Sequence, residues 1–352
     1  MLVEKGANVT VVDKDGLTPL HLALKNSHLE VAMMLLDKGA DVNVASIHNY
    51  KDRQGRTLLD VASENGRLDI VKMLVDKGAD AAATTKYGSM PLHLVPGDGY
   101  LKTSNMLIET GADSRATLKH GWTPLHEASA NGRSEVVRML LERGADIMAI
   151  DKDDWTPLHL ASRNGYSKIA KMLLERGADI MAIDKDDWTP LHLASRNGHS
   201  KIAKMLLEMG VDAGAVTKHR STPLHEASRN GHSKIAKMLL EMGVDAGAVT
   251  KHRLTPLHEA SRNGHSKIAK MLLERGMDIE VVNDTGRMPL HLASGNGYLK
   301  IVKMLLDKGV DARAVTKYRS TPLHLASEYG HMKIVKMLLE RGVGIMAIDK
   351  DD

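Results

Sequence analysis

The sequence predicts an all-α protein in which short helix-turn-helix units stack on one another. Variants of the tetrapeptide T-P-L-H begin ten segments, at Thr18, Thr57, Met90, Thr123, Thr156, Thr189, Thr222, Thr255, Met288 and Thr321. Successive segments are 33 residues apart, except that the first step is 39. The fifteen residues 151–165 also recur without change at 184–198. This regularity favours a single array of repeats over separate domains in a chain of 352 residues.

The first helix of each period is marked at both ends. In residues 151–183, Thr156 is a good N-cap, and Pro157 suits the first helical position because its missing N–H would be unpaired there anyway. Gly165 follows "LHLASRN" and predicts the end of the helix, since glycine adopts a left-handed conformation at little cost. A short helix over about two turns is therefore expected.

The second helix of the same period carries one apolar stripe. The segment "YSKIAKMLLER" places four apolar residues on one side of a helix: Ile169, Ala170, Leu173 and Leu174. Gly177 ends this helix, and "ADIMAIDKDDW" runs extended and turns back. Such a unit buries little surface alone, so neighbouring units must stack to form a core.

The 33-residue period, T-P-L-H-x-A in the first helix and G-A-D after the second together resemble ankyrin repeats over essentially the whole chain. The resemblance implies a single curved solenoid over residues 1–352 with projecting β-hairpin-like loops, here called fingers. We expect a partial repeat at 1–12, ten repeats over 13–348 with an insertion near 46–51, and the start of a truncated repeat at 349–352.

Several positions depart from the repeat pattern. Leu58 and Asp60 replace the proline and histidine of the second segment. Pro96 falls near the end of a first helix and predicts that this helix is shortened or kinked.

The fingertips also depart from the family, which usually has glycine there. The tip residues of five fingers are Asp154, Asp187, Arg220, Arg253 and Arg319. Because arginine tolerates a positive φ less well than aspartate, we expect the last three fingers to use a different turn.

Composition excludes several classes of function. The chain has no cysteine, so disulfides, thiolate metal sites and cysteine nucleophiles are absent. No run of 18 apolar residues or signal peptide is present, and no nucleophile with a base and an orienting group can be named. We therefore expect a non-catalytic intracellular, cytoplasmic protein without a cofactor, a small-molecule substrate or a membrane segment.

The 18 histidines do not indicate a metal site. Equivalent histidines of stacked repeats would lie about 10 Å apart and cannot converge on one ion. We expect the histidine of T-P-L-H to bond the backbone of an adjacent loop, and His199, His232, His265 and His331 to be capping or surface residues.

The three tryptophans are the first candidate binding residues. Trp122, Trp155 and Trp188 occupy the same position in consecutive repeats, just before the threonine. By the ankyrin resemblance they would face the concave groove, with Arg163 and Arg196 beside them. One interpretation is packing within and between fingers; the other is an aromatic anchor for a partner, since tryptophan is common at interface hot spots.

The second candidate surface is basic. Two adjacent fingers present Lys218, His219, Arg220, Lys251, His252 and Arg253, and Arg229 and Arg262 lie on the following helices. Residues 217–348 contain 21 Lys and Arg against 12 Asp and Glu. This excess is either ordinary solvated charge or a surface that attracts an acidic partner.

Taken with the family resemblance, these features predict a scaffold that binds a protein or peptide through its groove and fingers. The alternatives are a fragment or an engineered array with no native ligand, and an anionic partner such as nucleic acid at the basic half. Nucleic acid is the less favoured, because single strands need aromatic residues interleaved with the cations. The insertion "SIHNYK", with Tyr50, is a weaker contact candidate.

Overall fold

The computed structural model describes residues 8–45, 55–95, 97 and 100–342, and these form twenty helices. The helices are α1 (Pro19–Lys25), α2 (Leu29–Asp37), α3 (Leu58–Glu64), α4 (Leu68–Asp76), α5 (Pro91–Leu94), α6 (Leu101–Glu109), α7 (Pro124–Ala130), α8 (Ser134–Glu142), α9 (Pro157–Asn164), α10 (Ser167–Glu175), α11 (Pro190–Asn197), α12 (Ser200–Glu208), α13 (Pro223–Asn230), α14 (Ser233–Glu241), α15 (Pro256–Asn263), α16 (Ser266–Glu274), α17 (Pro289–Gly295), α18 (Leu299–Asp307), α19 (Pro322–Glu328) and α20 (Met332–Glu340).

The predicted all-α, helix-turn-helix organisation is confirmed. Each repeat contributes one odd-numbered first helix and one even-numbered second helix. Within the described ranges there is no strand, and one isolated antiparallel bridge joins Ala45 to Thr57. The chain divides into two compact units: unit 1 is Met1–Ala161 with Met172–Ala178, and unit 2 is Ser162–Lys171 with Asp179–Asp352.

The first helices that begin with Thr-Pro-Leu-His start with a reciprocal lock between the threonine and the histidine. In α11, the His192 N–H donates to Thr189 Oγ1 at 3.3 Å, and the Thr189 N–H donates to His192 Nδ1 at 3.3 Å. Two of the N–H groups that a helix start leaves unpaired are thereby satisfied. The fully buried ring is held in one orientation, which leaves Nε2 pointing away from its own helix.

The second helices supply most of the core. The predicted stripe of Ile169, Ala170, Leu173 and Leu174 is buried, and its equivalents in α12, α14 and α16 are buried as well. Full burial of a leucine or isoleucine stabilises the fold by about 1.5–3 kcal/mol, so a thin layer repeated in every unit replaces one large core. Gly165 and Gly177 have φ of 82° and 90°, which confirms the predicted helix ends.

Helix α5 confirms the prediction made from Pro96. It contains only four residues, and its C-cap Val95 has φ −59° and ψ 123°. A residue that precedes proline is driven out of the helical region, which explains why the helix ends at Leu94. Pro96 itself lies outside the described residues.

Other predictions fall on residues outside the described ranges. They concern the insertion near 46–51 with Tyr50, the first seven residues of the partial repeat, and the segment 349–352.

Successive repeats stack through like helices in each unit. In unit 2 the first helices α11, α13, α15, α17 and α19 contact one another in order, as do the second helices α12, α14, α16, α18 and α20. In unit 1, α3, α5 and α7 form one such series and α4, α6 and α8 the other. We call the first helices with the fingers the inner face, and the second helices the outer face.

Four histidines were predicted to be capping or surface residues, and the structure contradicts the capping alternative. His199, His232, His265 and His331 stand at N-cap positions, but none makes a side-chain capping bond. Instead, His199 Nε2 donates to the Arg163 carbonyl oxygen at 2.9 Å, and the other three make the same contact one repeat back. The ring lies over Gly165, where a Cβ atom would approach it to 2.5 Å, so these histidines join adjacent repeats.

Candidate functional site

The fingers owe their shape to a side chain that imitates a backbone turn. Asp151 Oδ1 accepts from the N–H groups of Asp153 and Trp155 at 2.8 and 2.9 Å. The Asp151 N–H donates to the Trp155 carbonyl at 3.0 Å, and the Asp154 N–H donates back to the Asp151 carbonyl at 3.0 Å. Aspartate at this position therefore closes the turn without a glycine at the tip.

The expectation of a different turn in the arginine-tipped fingers is wrong. The φ angles of Arg220, Arg253 and Arg319 are 57°, 57° and 61°, against 61° and 59° for Asp154 and Asp187. Thr217, Thr250 and Thr316 supply the hydroxyl that accepts the closing N–H bond. The turn is set by its first residue and by the neighbouring fingers, and the arginine adopts the left-handed conformation despite its strain.

Adjacent fingers are hydrogen-bonded to each other through their backbones. The Lys218 N–H donates to the Asp186 carbonyl at 3.0 Å, and the Lys251 N–H donates to the His219 carbonyl at 2.9 Å. In unit 1 the Lys152 N–H donates to the His120 carbonyl at 2.8 Å. Fingers 184–188, 217–221 and 250–254 thus form one continuous surface in unit 2.

Each tryptophan is half-buried and packs on the histidine of its own repeat. The ring centroids are 6.2 Å apart for Trp122 and His126, 6.0 Å for Trp155 and His159, and 5.7 Å for Trp188 and His192. Packing within the repeat is therefore real, and part of each indole remains accessible.

The tryptophans differ in their other contacts. Trp122 Nε1 donates to Asp151 Oδ2 of the next finger at 2.8 Å, which anchors its indole between two fingers of unit 1. In unit 2, the guanidinium carbon of Arg196 lies 5.2 Å from the centroid of the Trp188 ring, within the range of a cation–π contact. Arg196 is thus where the sequence analysis expected it. Arg163 is exposed, and its carbonyl accepts the bond from His199.

Several histidines of T-P-L-H link repeats, as predicted, but Nε2 of His21 and Nε2 of His93 have no hydrogen-bond partner among the described residues. His192, His225 and His258 donate from Nε2 to the carbonyls of Ser221, Leu254 and Arg287 at 3.0, 2.9 and 3.0 Å. His126 and His291 make corresponding contacts with Trp155 and Ala314.

Burial lowers the pKa of five of these imidazoles, His93, His192, His225, His258 and His291, to about 4. The causes, in order, are loss of hydration, which lowers the pKa, and the backbone contacts, which partly offset it. These rings are neutral near pH 7, and those of His192, His225, His258 and His291 serve as structural links.

Sequence reasoning missed a buried charge network on the inner face. Glu226 and Glu259 are 1% and 2% exposed. Arg229 lies between them, with Nη1 at 3.2 Å from Glu226 Oε1 and Nη2 at 2.7 Å from Glu259 Oε1. The Ser221 hydroxyl also donates to Glu226 at 2.8 Å. The hydrogen bond that Arg229 donates to Glu259 is the main reason that the pKa of Arg229 is raised.

This network changes the role of Arg229, which the sequence analysis placed among the partner-binding residues. Its guanidinium is the shared cation of two carboxylates that would otherwise be buried without one, an arrangement that is strongly destabilising when the cation is lost. The available signal was the spacing of Glu and Arg in "HEASR", which places them three residues apart in two consecutive helices.

The basic side chains of these fingers fall into two groups: some contact another residue, and the others have no side-chain partner among the described residues. Lys218 Nζ contacts the Lys185 carbonyl, His252 Nδ1 lies 3.1 Å from Asp284 Oδ2, and Arg253 Nε donates to the Val282 carbonyl at 3.2 Å.

The remaining predicted cations, His219, Arg220, Lys251 and Arg262, are exposed and have no side-chain hydrogen bond or ion pair within the described part of the chain. Their charges are available to a partner.

Neither a metal site nor a membrane-spanning helix is present among the described residues. No group of three or more His, Cys, Asp or Glu side chains there could hold a metal ion. In the same ranges, none of the helices is both long enough and apolar enough to cross a bilayer.

The linked helix pairs and fingers define a protein of the stacked-repeat class, which presents long faces built from many repeats. Models of ankyrin repeats, three copies in each, match residues 1–85, 81–151, 97–184, 149–217, 210–283 and 257–349. The chain therefore belongs to the ankyrin-repeat family. Ankyrin repeats are generally protein–protein interaction modules and are typically non-enzymatic.

Two curated proteins show similarity over short stretches. An ankyrin repeat and KH domain-containing protein of Drosophila melanogaster is 46% identical over 52 residues, or 15% of this chain and 1% of that protein. An ankyrin repeat and LEM domain-containing protein homolog of Caenorhabditis elegans is 50% identical over 40 residues, or 11% of this chain and 6% of that protein. The matched stretches thus span a small part of either relative.

Proposed function

We propose that this chain is a non-catalytic scaffold that binds an acidic protein or peptide segment on the inner face of unit 2. The observation that carries the proposal is the pair of exposed cations Arg220 and Lys251, which have no side-chain partner among the described residues and lie on fingers joined by hydrogen bonds, with exposed His219 beside them and Arg262 on a following first helix. Carboxylates are the natural partners of such arginines.

Trp188 and Arg196 supply the second part of the proposed surface. Finger 184–188 is bonded to finger 217–221, so the half-buried indole is on the same continuous surface as the cations. A partner with acidic residues and one apolar side chain would pair with the cations and cover the indole. Apolar anchors of this kind provide most of the affinity in protein interfaces, and charges provide on-rate and orientation.

Trp122 has a different role in this proposal. Its indole N–H is satisfied by Asp151, so it stabilises the fingers of unit 1, and its exposed edge is a secondary contact. An intracellular compartment remains a prediction that the lack of cysteine supports.

The test is selection of random twelve-residue peptides against the full-length chain, followed by affinity measurements on the enriched peptides. We expect enrichment in Asp and Glu with one aromatic or aliphatic residue. Binding should weaken about tenfold or more in Arg220→Gln/Lys251→Gln/Arg262→Gln, and also in Trp122→Ala/Trp155→Ala/Trp188→Ala, while the helical circular dichroism signal is retained.

The control variant is Lys204→Gln/Lys237→Gln/Lys270→Gln, which removes the same charge from the outer face and should not change peptide affinity. Peptides without acidic enrichment, or equal losses in the control, would contradict the proposal. No enrichment at all would favour an array without a native ligand.

A further inference from the structure

The outer face of unit 2 carries a line of identical charges. The second residue of α12, α14, α16, α18 and α20 is lysine in every case: Lys201, Lys234, Lys267, Lys300 and Lys333. We call these five residues the lysine row. All are exposed, and the five helices contact one another in order. With helix axes about 10 Å apart, the row extends about 40 Å.

The lysine row is unpaired, whereas the neighbouring lysines are paired. Three residues further along, Lys204, Lys237 and Lys270 lie 3.4, 3.6 and 3.7 Å from the glutamates four positions ahead of them. No member of the lysine row has an ion pair or side-chain hydrogen bond to any described residue. The two sets differ in position by one helical turn, so the same helices provide a matched comparison.

Helix stability does not explain these lysines. The amino-terminal end of a helix carries partial positive charge, so a cation in its first turn is unfavourable. In unit 1 the equivalent residues of α2, α4 and α8 are acidic, Glu30, Asp69 and Glu135, and that of α6 is Lys102. Each member of the lysine row also has a second lysine three residues ahead, on the same side of its helix. The arrangement therefore concentrates positive charge on the outer face and slightly lowers the stability of the helices.

The positive charge of the lysine row occupies only a narrow strip of the outer face. The last residue of each of the same helices is acidic: Glu208, Glu241, Glu274, Asp307 and Glu340. Seven residues of helix separate the two rows by about 10 Å, which is close to the Debye length at physiological salt. A flat anionic membrane would face both rows equally, whereas a rod lying along the stack can be centred over the lysines.

We propose that the lysine row binds the phosphate backbone of double-stranded nucleic acid, independently of base sequence. Phosphate charges attract lysine without any pocket or apolar anchor, and the affinity comes from counterion release. The helices of the row contain no aromatic residue, so they offer no platform for unstacked bases, which single strands require. A duplex is also stiff over far more than 40 Å and can follow a straight row.

The test measures the binding of a fluorescent 30-base-pair duplex of arbitrary sequence by anisotropy at several salt concentrations. For five phosphate contacts, log K should fall with log salt with a slope of about −4 to −5. In Lys201→Gln/Lys234→Gln/Lys267→Gln the slope should be shallower by about 3 units, because three contacts are lost. The control variant Lys204→Gln/Lys237→Gln/Lys270→Gln removes three charges from the same helices and should keep the original slope.

Four outcomes would overturn this proposal: no duplex binding at low salt, equal losses in the two variants, tighter binding to a single strand, or tighter binding to phosphatidylserine vesicles. The inner-face variant Arg220→Gln/Lys251→Gln/Arg262→Gln should bind the duplex normally. Loss of binding there would assign the duplex to the fingers, and thermal melts of all variants confirm that they fold.

Discussion

Unit 2 joins consecutive repeats through the same histidine contact at His192, His225 and His258, whereas unit 1 lacks this contact at its amino-terminal end. His21 forms the lock with Thr18, but its buried Nε2 has no hydrogen-bond partner among the described residues. In the next repeat Asp60 takes the place of the histidine and accepts from the Thr57 N–H at 2.8 Å.

Spacing accounts for the difference at His21, although the buried Nε2 of His93, which precedes a 33-residue step, also has no hydrogen-bond partner among the described residues. The links from His192, His225 and His258 all reach a carbonyl 29 residues ahead, a distance set by the 33-residue period. The step after Thr18 is 39 residues, so the first repeat does not share that register. The local lock and the link between repeats are therefore separate properties of one side chain, and the motif guarantees only the lock.

Acidification should cause the largest loss of folding stability, and this loss should come mainly from the buried histidines of unit 2. Four of its histidines have a pKa of about 4 in the folded protein, below the value of about 6.5 expected when unfolded. The unfolded chain therefore binds more protons, and this stability is complete above pH 6.5 and falls as pH decreases towards 4. We expect a loss on the order of 1–2 kcal/mol for each histidine by pH 5.

Urea titrations at pH 7 and pH 5 measure this loss, and potentiometry counts the protons taken up on unfolding. An uptake of fewer than about two protons at pH 5 would contradict neutral buried rings in unit 2.

Removal of a histidine of T-P-L-H should lower the stability of the protein more in unit 2, where this histidine links adjacent repeats, than at the amino-terminal end of unit 1. His225→Ala loses the lock with Thr222, the bond to the Leu254 carbonyl and a fully buried ring, so we expect a loss of about 3 kcal/mol. His21→Ala loses the lock and the ring without a link, so about 1–2 kcal/mol is expected. Urea midpoints compare the two, and equal losses would show that the link adds little.

The buried charge network offers a comparison within unit 2. Arg229→Ala leaves Glu226 and Glu259 buried without their cation and should destabilise by about 2 kcal/mol. Arg262→Ala, at the same position of the next repeat, should change stability by no more than about 0.5 kcal/mol, because that side chain is exposed and unpaired. Thermal melts give both values, and a large effect at Arg262 would reveal a structural role.

The smallest effect concerns the fingertips. Arg220→Gly removes a left-handed conformation that is strained for arginine, but it also increases the freedom of the unfolded chain. We expect a net gain of about 0.5 kcal/mol, and less for Asp187→Gly. Differential scanning calorimetry measures the change, and a loss of stability at Arg220 would show that its side chain supports the finger.

Much of the fold was predictable from the sequence because its signals are local. The Thr-Pro start of each first helix, the glycine ends and the apolar stripe of the second helix act within one repeat, and the period extends them along the chain. Pro96 likewise restricts the residue directly before it, so the short α5 could be expected.

The site was less predictable because its contacts join different repeats. The sequence marked Arg220, Arg229 and Lys251 as equivalent cations, and only the structure separates Arg229, which is held by two carboxylates, from the others. The fingertip prediction was wrong for the same reason, since bonds to a neighbouring finger outweigh the preference of one residue.

The sequence by itself determined the repeat, its two helices, their caps and the family, because these depend on spacings within a 33-residue unit. The tertiary structure alone decided which cations are neutralised, where His199 and its equivalents donate, and which lysines of the outer face stay unpaired. Those outcomes depend on which groups of adjacent repeats come within hydrogen-bonding distance, and no single repeat contains that information.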